Sequence, residues 1–127
     1  MYYIVESSKS FYEAKLDFAP VVERLGFVIL HAADLGEMLQ HRDIEVDDDC
    51  QIYEVINYRL VEKLLGIDPQ LGLTLPSRIS IFTRNGATLI GIVHPVDCPA
   101  EFAAQPAVAQ LLEEIECRLK TVVDEVR

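Results

Sequence analysis

The sequence predicts one α+β domain with a mainly antiparallel sheet and helices packed on one face, in the order β-α-β-(α)-β-α-β-β-α. Three observations lead there. Arg78–Arg84 and Ala87–His94 are β-rich runs joined by Asn85-Gly86, a dipeptide whose residues both accept positive φ, as a two-residue hairpin turn requires. Helical and extended patterns alternate through the rest of the chain, and a purely parallel sheet would not contain that hairpin. Finally, 127 residues, half of them hydrophobic, suffice for one core and not for two.

Tyr2–Glu6 is aromatic and β-branched and predicts the first strand. Ser8 or Ser10 can cap the next helix, Ser10 having capping-box spacing to Glu13, and the helix's apolar face is Phe11, Ala14, Phe18, Val21 and Leu25. Pro20 removes one backbone donor and crowds the Leu16 carbonyl, so a kink or break is expected near Leu16–Ala19, and Gly26 ends the helix. Phe27–Ala32 predicts the second strand. Asp34 caps a short helix, Leu35–Arg42, and Asp43–Asp49 forms an exposed acidic loop. Cys50–Asn57 predicts the third strand, and Tyr58–Gly66 a two-turn helix with Val61, Leu64 and Leu65 inward. Asp68-Pro69 reads as an N-cap and first-turn proline, leading to the hairpin through Leu73–Pro76. After a loop at Val96–Gln105, Pro106 opens the last helix, with an apolar stripe from Val108 to Val126. Glu114→Arg118 and Glu116→Lys120 mark its solvated face.

The balance of 21 acidic to 11 basic residues gives a formal net charge of −10, which repels phosphate backbones and anionic headgroups. Nucleic acid and membrane are therefore excluded as partners, and no apolar run approaches a membrane span. High apolar content beside that charge predicts a homodimer that buries one further face. Cys50, Cys98 and Cys117 have no framework spacing and predict reduced thiols in a cytoplasmic protein without a secretory signal.

Candidate functional residues are few. Glu54 interrupts the apolar strand CQIYEVIN on the face of Ile52 and Ile56, and Arg78 is its expected partner. If that face is buried the pair marks a site or a structural ion pair; on an edge strand Glu54 is simply solvated. Asn57, Pro76, Ser77 and Arg78 lie at element ends where polar groups converge, and Arg78 suits a carboxylate or phosphate. Against that, Asn57 is also a leading helix-cap residue, and Ser77 lacks a nucleophile elbow. His31, His94 and Cys50 show no ligand spacing, so a metal site would need convergence in space. Asp47-Asp48-Asp49 lacks the alternation, Gly and Glu of a calcium loop. The reading that follows is a homodimeric module binding a small molecule or a protein partner. The alternative is an enzyme with a polar cleft around Glu54, Arg78 and Asn57; no cofactor is indicated.

From Tyr2 to Pro95 the chain resembles the family called domain of unknown function 302, small prokaryotic proteins without an assigned activity. The resemblance rests on Tyr3-Ile4-Val5, Ser10-Phe11, Gly26-Phe27, Tyr53-Glu54-Val55 running to Asn57, and Leu73-Thr74-Leu75-Pro76-Ser77-Arg78-Ile79. Members commonly place Pro where this chain has Tyr58 and often Cys where it has Ser77, so thiol chemistry is not expected here. The resemblance implies a compact α+β fold, dimeric association and no known substrate.

Overall fold

In a computed structural model, which describes residues 2–93 and 98–127, a five-stranded antiparallel sheet carries three helices on one face. The strands are β1 (Tyr2–Ser7), β2 (Val28–Asp34), β3 (Cys50–Ile56), β4 (Ser77–Arg84) and β5 (Ala87–Val93), ordered β1-β5-β4-β3-β2. The helices are α1 (Phe11–Arg24), α2 (Leu35–Gln40), α3 (Tyr58–Ile67) and α4 (Pro106–Val126). Short 3₁₀ segments occupy Pro69–Thr74 (six residues) and Ala100–Phe102 (three residues). The β4–β5 hairpin turns at Asn85 (φ 52) and Gly86 (φ 81), the positive-φ pair that the dipeptide predicts.

Strand alternation divides the sheet into two unlike faces. Tyr53, Val55, Ile79, Ile81, Ile90 and Ile92 point toward the helices and are buried. They meet Phe18 and Val22 of α1, Leu60 and Leu64 of α3, and the α4 stripe. Phe18 stacks on Tyr53 with ring centroids 3.7 Å apart, locking α1 to β3. On α4, Val108, Leu112, Ile115, Leu119, Val122, Val123 and Val126 are all buried. At about 1.5–3 kcal/mol for each such side chain, this helix is the largest single contributor to the core. Its C-terminus is tied to β1 and the following turn, because Lys9 Nζ donates to the Val126 carbonyl and Ser7 Oγ to that of Arg127. No helix among the described residues is long and apolar enough to cross a membrane.

Several local expectations need correction. Helix α1 runs unbroken through Pro20. Pro20 leaves the Leu16 carbonyl without its helical donor, at a residue 58% exposed. Leu65 of α3 is 41% exposed rather than inward, since one helix face of only ten residues is served by Leu60 and Leu64. Strand β2 begins one residue later than expected and continues to Asp34, and α2 stops at Gln40. Pairing of β2 with β3 is irregular between Ile29 and His31, which sets the remainder of β2 in its observed register.

Candidate functional site

Among the described residues nothing covers the face of the sheet opposite the helices, and the polar candidates lie at its end. Directly opposed residues of antiparallel strands share a face. His31 of β2 is paired with Glu54 of β3, and Glu54 with Arg78 of β4, giving a polar row across three strands. The next row, Ala33, Ile52, Ser80, Gly91 and Ile4, is mostly apolar. Glu54 is half-buried on this open face and Arg78 is exposed. No hydrogen bond or ion pair joins the two side chains, although the register sets them side by side.

The segment before β4 makes one wall of a cavity at this end. Asp68 accepts a hydrogen bond from the Gln70 N–H at 2.8 Å and so opens the 3₁₀ turn. Thr74 Oγ1 donates to the Leu71 carbonyl at 2.7 Å, and the Leu75 N–H donates to that of Gly72. This small bonded turn holds Leu73–Pro76 in place, and the chain enters β4 through a cis Leu75–Pro76 peptide. The cavity encloses about 720 Å³, within the range of small-molecule sites. His31, Glu54, Thr74, Ser77, Arg78 and Glu116 supply its polar groups. Its apolar walls come from Ile52, Leu75 and Val93 and from Leu112, Ile115 and Leu119 of α4.

Of the five residues singled out from sequence, Glu54, Pro76, Ser77 and Arg78 thus line one cavity. Asn57 does not. It is 7% exposed at the N-terminus of α3, where its Oδ1 accepts from the Leu60 N–H at 3.2 Å and its Nδ2 donates to the Gly26 carbonyl at 3.1 Å. Both ends of this amide are used in closing α3 and the α1–β2 turn, so the polar cleft of Glu54, Arg78 and Asn57 is not assembled. His31 and Cys50 sit in different rows of the open face, roughly 13 Å apart by strand rise between Glu54 and Cys50. His94 lies outside the described residues, and among those described no three His, Cys, Asp or Glu side chains cluster as metal ligands. The acidic loop is fastened to β4, with Thr83 Oγ1 donating to Asp48 and accepting from the Asp49 N–H.

Sequence reasoning missed the contribution of α4. Glu116 lies one turn from Leu112 and Leu119 and lines the cavity, with a side chain only 13% exposed. Its pairing with Lys120, at 3.2 Å, therefore belongs to the cavity rim and not to the solvated face; Arg118–Glu114 does mark that face. Lys120 in turn lies over the Tyr3 ring, 5.4 Å from its centroid. The signal was present as an acidic residue at helical spacing within an apolar stripe.

Beside the cavity and sharing Ile52, Arg78 and Val93 with it, an apolar groove of about 370 Å³ crosses the open face between Tyr2, Ile4 and Phe82. Gly91 forms its floor. A Cβ there would stand 2.9 Å from Ile4 Cγ1 and 3.1 Å from the Tyr3 carbonyl, so only glycine lets β1 lie this close to β5.

Two ionisable groups of β2 and β3 away from the cavity mouth are perturbed. Asp34 is held below its ordinary range, first by the Glu37 N–H that it caps and then by Lys15 at 3.3 Å, against an opposing effect of burial. Burial raises the Tyr53 phenol, with Asp34 adding to it. Both side chains belong to the helix-covered side and serve the fold.

No curated protein is similar to the chain. A solved structure is: that of an uncharacterized conserved DUF302 protein from Bacillus stearothermophilus, at 26% identity and a TM-score of 0.84, over 99% of this chain and 98% of the other. The likeness covers every element from β1 to α4. The family model for the domain of unknown function DUF302 matches residues 3–126, and the chain belongs to that family.

Proposed function

We propose that the protein is a cytoplasmic, homodimeric binding module without catalytic activity, whose small-molecule ligand occupies the cavity at the start of β4. The observation that carries this reading is the cavity itself. It combines apolar walls from two sides of the sheet with a few polar groups at one end, the usual make-up of a ligand site. The catalytic alternative is weaker, because Asn57 is engaged elsewhere and Ser77 has no base bonded to it.

The dimer reading draws on the open sheet face. Tyr2, Ile4 and Val93 are exposed there around the apolar groove. The three free cysteines suit a reducing compartment. Native mass spectrometry tests both parts at once. A dimer carrying a discrete extra mass is the expected spectrum, and a bare monomer overturns the reading.

A further inference from the structure

From the unpaired opposite charges at the cavity mouth, we infer that the ligand is a zwitterion with an apolar body, of the α-amino acid type, its ammonium on Glu54 and its carboxylate on Arg78. The inference rests on the cavity being a ligand site and specifies what that site takes.

Three features lead to it. The first is the pairing of Glu54 with Arg78 in the β3–β4 register. Opposed side chains on one sheet face start about 5 Å apart at Cβ, close enough for a salt bridge, yet these two make none. Both charges stay available to a third party, and both line the same cavity. A ligand bearing an ammonium and a carboxylate on one carbon, bonded at about 2.8 Å to each side, spans such a gap.

The second feature is the sign of the surroundings. Arg78 stands beside Glu54 on a chain of net charge −10, while Glu116, also in the lining, is paired with Lys120. A simple anion at Arg78 meets repulsion from Glu54 and from the whole molecule, and a simple cation at Glu54 meets Arg78. A molecule with both charges satisfies both residues and leaves neither with an unbalanced neighbour. His31, opposite Glu54 on its other side, completes the row and lies within reach of the same carboxylate.

The third feature is the apolar depth. Leu75, Leu112, Ile115 and Leu119 face the same space, and a volume of about 720 Å³ admits a large side chain together with its α-carbon groups. Leucine, phenylalanine and short peptides with such side chains have the required form. Glycine and other small zwitterions would forgo the apolar contacts.

Isothermal titration with L-phenylalanine, phenethylamine and 3-phenylpropanoate as probes decides the matter, run on the wild-type protein and on Glu54→Gln and Arg78→Gln. Both positions lie on the open sheet face outside the core, and circular dichroism verifies that the variants fold. The wild type is expected to bind L-phenylalanine at least about tenfold more tightly than either singly charged analogue, since each lost charge-assisted bond is worth that much. Glu54→Gln should erase the advantage over 3-phenylpropanoate, and Arg78→Gln the advantage over phenethylamine. Equal binding of all three probes overturns the inference, as does binding that neither variant changes. If none of the probes binds, native mass spectrometry separates the two failures. A different bound mass refutes the zwitterion and keeps the ligand site, and an empty protein refutes both.

Discussion

Replacing Asn57 separates a structural role from a functional one at the position where sequence left both open. Its side chain makes two bonds, accepting from the Leu60 N–H at 3.2 Å and donating to the Gly26 carbonyl at 3.1 Å. Asn57→Ala removes the cap of α3, at a cost of about 1 kcal/mol. It also removes the bond to the Gly26 carbonyl, which belongs to an exposed residue open to water, for a further cost of about 0.5–1.5 kcal/mol. The sum is a loss of about 1.5–2.5 kcal/mol, a large fraction of the total stability of a domain this size. Asn57→Asp keeps the acceptor for Leu60 and loses the donor to Gly26, so it should fall between wild type and Asn57→Ala. Urea denaturation followed by circular dichroism reads the difference, with an unchanged slope expected if both ends of the transition are unaltered. Because Asn57 lies outside the cavity lining, bound mass in native spectra of the folded variant should equal that of wild type. An Asn57→Ala protein within about 0.5 kcal/mol of wild type, or one that stays folded and loses its bound mass, would refute this assignment.

Other positions yield further expectations. Gly91→Ala places a methyl 2.9 Å from Ile4 Cγ1 and 3.1 Å from a backbone oxygen, so a loss of about 1–3 kcal/mol is expected in urea melts. Adding Ile4→Ala should recover part of it. Phe18→Ala removes a fully buried ring stacked on Tyr53 and should cost about 3–5 kcal/mol, measured the same way. Glu54→Gln and Arg78→Gln, which break no ion pair or hydrogen bond, should each change stability by less than about 0.5 kcal/mol. Asp34 is depressed in the folded state, so its stabilising effect is present above the unfolded value near 3.8 and is lost as pH falls through the lower folded value. Acid titration of Asp34→Asn, which retains an acceptor for the Glu37 N–H, should therefore show a shallower decline below that pH than wild type.

Much of the fold was legible in local patterns because those patterns are local in origin. Asn85-Gly86 determines the hairpin, Ser10 and Glu13 form the capping box, and the long α4 stripe is buried throughout. Pro20 makes no break because the cost of a proline depends on the surroundings of the orphaned Leu16 carbonyl, and the 58% exposure of Leu16 is a tertiary fact. Leu65 misled because a short helix has room for one buried face, whose centre periodicity alone does not locate. The site was half visible. Arg78 was expected as the partner of Glu54, and the register of β3 with β4 sets the two opposite each other without a bond between their side chains. The wall formed by Leu112, Ile115, Glu116 and Leu119 comes from a helix some forty residues beyond the strand entry, and no spacing rule links the two. Asn57 stood near Glu54 in sequence and is turned away from it by strand alternation, toward the helices that it caps.

The central claim is that the cavity at the start of β4 is the part of this molecule that meets a ligand. Backbone amide NMR of the labelled protein, titrated with a small-molecule extract of its host cells, tests it most directly. Shifts concentrated at Glu54, Ser77, Arg78, Leu112, Ile115 and Glu116 are expected, and their loss from those signals in Arg78→Gln. Shifts confined to α2 and the acidic loop at residues 43–49, with the cavity amides unmoved, would contradict it.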